Sequence, residues 1–275
     1  LYQWPLRRLT LPTYPWQRQR YWLDPPAATA QQPRAHGGEH PLLGKLQLLA
    51  TPTPMHLGES SLSVRRLPWL AEHRVQGTVL FPGAGHVEAA LLAGRTAFAG
   101  APFVVQGLVF AEALVLAADS EVSVQTLMTE EQPGRQHLQI ASRAPAGGDA
   151  FRVHVRAVLQ RSDRSAAPAP LELAALRSRL LPVATTELYA ALAAMGMQYG
   201  PAFQGITALW RGEGEALGRV QLPPAAGSMA GYHFHPALLD ACFQVLASML
   251  TAGAEPTPWV LVQVGAVQLL RSYLN

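Results

Sequence analysis

Residues 70–94, LAEHRVQGTVLFPGAGHVEAALLAG, set a histidine, a glycine and a proline at fixed intervals ahead of an apolar run. His73, Gly77 and Pro82 form H-x-x-x-G-x-x-x-x-P, with Gly83 immediately after. Proline suits the first turn of a helix, and glycine lets another backbone or a ligand come close. The apolar run predicts a helix over about 84–98. Its first amides have no partner within the helix and lie at the positive end of its dipole, so a carbonyl gaining negative charge is a suitable guest. Taken alone, the motif equally fits a strand-end histidine followed by a simple turn.

Working outward, strand patterns surround this helix. KLQLLA, SLSVRR, VVQGLVFAEALVL, EVSVQTLMTE, RQHLQIASR and FRVHVRAVLQ alternate or cluster β-formers, with turn residues between them. RSDRSAAPAP at 161–170 reads as a linker, after which the order repeats. TTELYAALAAMGM predicts a helix beginning near its threonines, ALWRGEGEALGRVQL a hairpin, HPALLDACFQVLASML a second apolar helix, and PWVLVQVGAVQLL a strand. The expected class is α+β: a long helix wrapped by an antiparallel sheet, occurring twice. About 65 residues of strand and loop follow the first helix before the linker and only about 25 follow the second, so the second half reads as incomplete at its C-terminal side.

The N-terminal region has a different character. Residues 1–24, rich in aromatic, Arg and Pro residues, fit an extended strap, and residues 25–39 a Pro-, Ala-, Gln- and Gly-rich linker. The chain begins at Leu1 rather than Met, which suggests a piece excised from something longer. Of the 275 residues 49% are apolar and 14% charged, as in a globular chain, and the formal charge of +3 is too mild to argue for nucleic acid. Cys242 is the single cysteine, which excludes an internal disulfide framework and suits a reducing cytoplasm. No apolar run reaches membrane-spanning length and no secretory signal is evident.

Other residues invite chemistry. Asp240 and Gln244 are four apart, so they share a helix face, and the amide can orient the carboxyl. Leu238, Leu239, Ala241, Cys242, Phe243 and Val245 make the surroundings apolar. Burial there raises a carboxyl's pKa and lets it donate a proton near neutral pH, although a capping or solvent-facing Asp has the same spacing. In MQYGPAFQGI, Tyr199 supplies a hydroxyl and Gly200-Pro201 breaks the helix beside it, a pattern that also fits a structural turn. His233 and His235 alternate with Phe234 as strand-borne metal ligands do, but no third ligand is suitably spaced, so no metal site is expected. Nothing near Cys242 lowers its thiol pKa, and inert packing is expected.

In order, His73-x-x-x-Gly77-x-x-x-x-Pro82, Tyr199-Gly200-Pro201 and Asp240-x-x-x-Gln244 resemble the dehydratase domains of modular type I polyketide synthases. HPLLG at 40–44 is similar to that family's opening, and LPTYPWQRQRYWL at 11–23 to the segment that ends the preceding acyltransferase region. The resemblance implies a double hotdog: a post-acyltransferase strap and linker over 1–39, an N-terminal hotdog over 40–160, a linker over 161–182 and a C-terminal hotdog over 183–275. It implies a hydro-lyase that removes water from a 3-hydroxyacyl thioester, with His73 as base, Asp240 as acid, and Gln244 and Tyr199 in support. Gly83 is read here as the amide that polarises the thioester carbonyl, and His235-Pro236 as the opening of the second helix. His86, three residues into the first helix, is expected to line the tunnel or pack. The implied substrate arrives on the phosphopantetheine arm of an acyl carrier protein, without a cofactor of the domain's own. The implied setting is a cytoplasmic homodimer beside acyltransferase and ketoreductase domains, away from membrane and nucleic acid. The same residues also serve double-bond isomerisation, oxa-Michael cyclisation or a non-catalytic scaffold.

Overall fold

The computed structural model describes residues 40–143, 150–162, 171–250 and 260–269. The strap expected at 1–39 and residues 163–170 of the expected linker lie outside them. The first half opens with β1 (Lys45–Leu49) and β2 (Met55–Leu62), then a 3-10 turn, Pro68–Glu72, leading into β3 (His73–Val75) and β4 (Thr78–Val79). Helix α1 (Gly83–Ala97) follows, and then β5 (Phe103–Phe110), β6 (Val122–Gln132), β7 (Arg135–Arg143) and β8 (Arg152–Arg161). Pro82 caps α1, as its fixed φ favours, and ten of the fifteen helical residues are buried. A helix covered on nearly every side needs a sheet that curls around it. That sheet is antiparallel, and β6 shows the required alternation, with Val122, Val124, Thr126 and Met128 inward.

The second half comprises α2 (Leu173–Arg179), β9 (Leu181–Val183), α3 (Thr185–Ala194), β10 (Met197–Tyr199), a hairpin of β11 (Ile206–Gly212) and β12 (Glu215–Val220), α4 (Pro236–Ala247) and β13 (Gln263–Val267). Among the described residues its sheet has three strands, β12-β11-β9, against seven in the first, β1-β2-β6-β7-β8-β5-β13. The seventh strand belongs to the second half by sequence: β13 pairs antiparallel with β5, matching Val264 to Leu108 and Val267 to Val105. Each of these strands follows its own helix, so the two halves meet strand to strand and α1 packs on α4. No helix among the described residues is long and apolar enough to cross a membrane.

Three local expectations are corrected. The strand read through VVQGLVFAEALVL ends at Phe110, because the chain leaves the ladder for a loop in which Ala111 N–H donates to the His154 carbonyl. The helix read over TTELYAALAAMGM stops at Ala194, where Gly196 at φ +82 turns the chain out, so Tyr199 lies on β10 and Gly200-Pro201 breaks a strand instead of a helix. His233 and His235 are on no strand, and His235 caps α4, its Nδ1 accepting from Ala237 N–H at 3.1 Å.

Candidate active site

The H-x-x-x-G spacing is a hairpin. Val75 pairs with Thr78, leaving Gln76 and Gly77 as a two-residue turn with φ of 49° and 77°. Both central residues of such a turn need positive φ, which glycine adopts without strain. Nothing lies within 4 Å of a Cβ built on Gly77, so its value is conformational freedom and not the close approach expected from the sequence. The hairpin brings the Leu80 carbonyl to 2.9 Å from His73 Nδ1. A carbonyl only accepts, so Nδ1 carries a proton, and in the neutral ring Nε2 holds the lone pair.

That lone pair lies 3.9 Å from Oδ1 of Asp240, which comes from the other half of the molecule. On α4 the residues facing inward are Ala237, Asp240, Ala241 and Gln244, a stripe that a core helix ordinarily fills with apolar side chains. Here it carries a carboxyl and an amide. Asp240 is 6% exposed, and burial pushes its carboxyl above the usual range, with His73 and the Gln244 hydrogen bond opposing.

Gln244 is committed at both ends. Its Nε2 donates to Asp240 Oδ2 at 2.8 Å and to the Phe203 carbonyl at 3.0 Å, while Oε1 accepts from the Tyr189 hydroxyl at 3.2 Å. That hydroxyl accepts in turn from Ile206 N–H at 3.2 Å. The chain of donors permits one amide orientation and so fixes one carboxylate oxygen, leaving Oδ1 toward His73. Tyr189 was not a sequence candidate. The only hint was a tyrosine in an otherwise Ala- and Leu-rich helix. Burial pushes its phenol up to about 12, which keeps it protonated as a donor.

Tyr199 sits opposite His73 in the β10–β3 register, their rings 5.5 Å apart. Burial raises its hydroxyl pKa well above the ordinary value. Gly200-Pro201 opens the 3-10 turn that carries Phe203, whose ring lies 5.1 Å from His73 and whose carbonyl holds Gln244. A Cβ on Gly200 would press on Glu72 at 2.8 Å, so this glycine does serve close approach.

These groups share a cavity of about 350 Å³, lined mostly by apolar side chains and including His73, Tyr199, Asp240, Gln244, Gly83 and His86. Gly83 begins α1, and a Cβ there would meet the Phe110 ring at 3.2 Å. Pro82 and Pro236 set the entry of the two helices on which this wall depends. Burial raises the Cys242 thiol pKa, against nucleophilic use. Among the described residues no group of three His, Cys, Asp or Glu side chains is placed to hold a metal ion.

A second buried carboxyl, also missed from the sequence, ties the halves together. Glu88 on α1 accepts from His233 N–H at 2.7 Å and Phe234 N–H at 3.0 Å, just ahead of α4. His40 Nε2 lies 3.4 Å from the same carboxylate, and since His40 Nδ1 accepts from Leu42 N–H, Nε2 carries the proton. The readable signal was a lone acid among Val87, Ala89, Ala90 and Leu91.

Two family models match the chain: polyketide synthase dehydratase domain over residues 40–143, and polyketide synthase dehydratase N-terminal domain over 167–274. The spectinabilin polyketide synthase system protein NorA' of Streptomyces orinoci is 37% identical over 258 residues, which cover 92% of this chain and 7% of that protein. The chain therefore spans a small fraction of the curated relative it matches. The dehydratase domain from the CurK module of curacin polyketide synthase superposes with TM-score 0.79 at 28% identity, covering 85% of this chain and 84% of that one. Two variants of that domain, one with His replaced by Phe and one with Asp replaced by Asn, are described as inactive. The dehydratase domain from the terminal module of the rifamycin polyketide synthase is 32% identical with TM-score 0.69, covering 77% of this chain and 78% of that one.

Proposed function

Because the chain belongs to the polyketide synthase dehydratase family and has its double hotdog fold, we propose that it removes water from a 3-hydroxyacyl thioester and that His73 and Asp240 carry the reaction. The observation that carries the assignment is the facing pair: an imidazole with a free Nε2 lone pair, 3.9 Å from a buried carboxyl that favours its protonated form.

His73 Nε2 takes the C2 proton. The C2–H electron pair becomes the new C2–C3 π bond, the C3–O bond breaks, and Asp240 gives its proton to the departing hydroxyl, so water leaves. The imidazolium and carboxylate left behind face each other, and returning the proton from Nε2 to Oδ1 resets the site. Two groups this close reach the substrate from one side, which makes the elimination syn. Negative charge developing on the thioester oxygen is met by the Gly83 amide at the α1 N-terminus. Gln244 and Tyr189 position the acid. Tyr199 packs on the base and shields it from solvent.

The two inactive variants of the CurK domain replace the same two residue types, which supports the roles given to His73 and Asp240 here. The substrate is carried by the phosphopantetheine arm of an acyl carrier protein, and the elimination above uses only acid–base groups of the chain, with no cofactor of the domain's own. The domain works as a dimer within a cytoplasmic synthase that also holds acyltransferase and ketoreductase domains. Its hotdogs run over 40–160 and 183–275, joined by the segment 161–182. The test is mass spectrometry of a 3-hydroxyacyl carrier protein incubated with the protein. Loss of one water is expected, reduced at least about 10²-fold in His73→Ala and in Asp240→Asn. Undiminished dehydration by either variant, shown to be folded, overturns the assignment.

A further inference from the structure

The cavity contains a polar side chain that the elimination does not use. His86 lies in the first turns of α1, is 4% exposed, and lines the same cavity as His73 and Asp240. Its contacts are with rings: Phe81 edge-on at 4.8 Å, Phe110 at 6.1 Å and His154 stacked at 6.2 Å. His154 has no capacity left for it. Its Nδ1 donates to the Glu112 carbonyl at 2.9 Å, so Nε2 is the acceptor, and the Ser142 hydroxyl fills it at 2.7 Å. No group among the described residues hydrogen-bonds the His86 ring. Among the described residues the His86 nitrogens are not polar atoms shut off from solvent, so they open onto the cavity, and a guest that displaces water there must replace its hydrogen bonds.

Burial and the neighbouring His154 bring the His86 imidazole down to about 3, so it is neutral at physiological pH, with one N–H and one lone pair. A neutral ring matches an uncharged oxygen and offers nothing to neutralise a carboxylate. Glu112, the other titratable group on this wall, is half-exposed and paired with Arg152 at 3.1 Å. Position along the cavity narrows the ligand further. The exposed rim is formed by Leu246, Leu250, Val260 and Val262 and, across from them, by Ala111, Glu112 and Ala113, whereas His86 is itself 4% exposed beneath the Phe81 and Phe110 rings. A substrate tethered at its thioester end enters with its far end leading, so the interior meets the acyl chain and the rim meets the arm.

We propose that His86 is the recognition point for an uncharged oxygen, hydroxyl or carbonyl, borne on the acyl chain beyond C3, so that the cavity favours oxygenated chains over purely hydrocarbon ones. This rests on the dehydratase reading above and adds a substrate class to it. The test compares 3-hydroxyacyl carrier proteins of equal chain length, one with a hydrocarbon tail, one with a further hydroxyl and one with a ketone. Wild type is expected to favour an oxygenated chain by roughly tenfold in kcat/KM. His86→Phe should bring that ratio close to one, and His86→Gln, which keeps a donor and an acceptor, should retain part of it. An unchanged ratio in His86→Phe, an equal loss on all chains, or no preference in wild type overturns the subsite while leaving dehydration intact. Should His86→Phe fail to fold, the wild-type ratio and His86→Gln decide. If wild type dehydrates none of the chains, the dehydratase reading falls and the subsite with it.

Discussion

Replacing Gln244 by leucine separates the acid's orientation from its proton affinity. The Gln244 amide donates to Asp240 Oδ2 across 2.8 Å, with the two residues 1% and 6% exposed. A donor aimed at a carboxylate favours the ionised form, so this bond opposes the upward push of burial. Leucine removes the opposition, and the Asp240 pKa rises further. A hydrogen bond to an ionised acceptor contributes roughly 1.5 kcal/mol, about one pKa unit. In the proposed mechanism Asp240 acts protonated, so kcat/KM should fall on the alkaline side as that proton is lost. In Gln244→Leu the alkaline limb should therefore move up by about one pH unit.

The same change strips a donor from the Phe203 carbonyl and an acceptor from the Tyr189 hydroxyl, costing about 2 kcal/mol of stability. It also frees the carboxyl to rotate, and the plateau rate should drop by about tenfold. The assay is the pH profile of water loss from a carrier-bound 3-hydroxyacyl thioester, followed by mass spectrometry, with thermal unfolding alongside. A lower plateau with a raised alkaline limb is the expected signature. An alkaline limb that stays put or moves down would refute the claim that Gln244 holds the acid's proton affinity in check.

Asp240→Asn, inactive as an acid, should gain stability toward alkaline pH. Asp240 has a native pKa above its unfolded one, so its contribution is full below the unfolded value and lost as pH rises through the folded one, a loss the amide avoids; melting temperatures from pH 4 to 9 show whether the wild-type decline flattens. Glu88→Gln keeps one acceptor oxygen but sets an amide NH2 against the other of the two backbone donors, and chemical denaturation should show a loss of about 2–3 kcal/mol, together with weakened dehydration because the approach to α4 loosens. Gly44→Ala should cost about 2 kcal/mol or more in the same measurement, since the residue sits at φ +67 with its missing Cβ pressed on the Glu59 carbonyl. Tyr189→Phe leaves the buried Ile206 N–H without its acceptor, and a loss of about 1–2 kcal/mol with a smaller rate defect than Gln244→Leu is expected from paired unfolding and turnover assays.

The sequence by itself determined the periodic parts of this protein. Alternation along Val122–Gln132 specified a half-buried strand, and the Ala- and Leu-rich runs specified α1 and α4, because side-chain burial follows local periodicity. Four-residue spacing put Asp240 and Gln244 on one face for the same reason. His73, Gly77 and Pro82 were legible as a motif, although the role of Gly77 as a hairpin turn was not, because a glycine signals conformational freedom and close approach alike. Only the tertiary structure decided which groups face each other. Nothing local to residue 73 or residue 240 dictates that β3 and α4 bring an imidazole to within 3.9 Å of a carboxyl, since that distance comes from the packing of two halves far apart in the chain. Tyr189 and Glu88 went unread, and His86 was legible only as a residue that lines the tunnel or packs, for a related reason. Each sits in a helix as an ordinary polar or aromatic residue, and burial and partners contributed by other segments give it its chemistry.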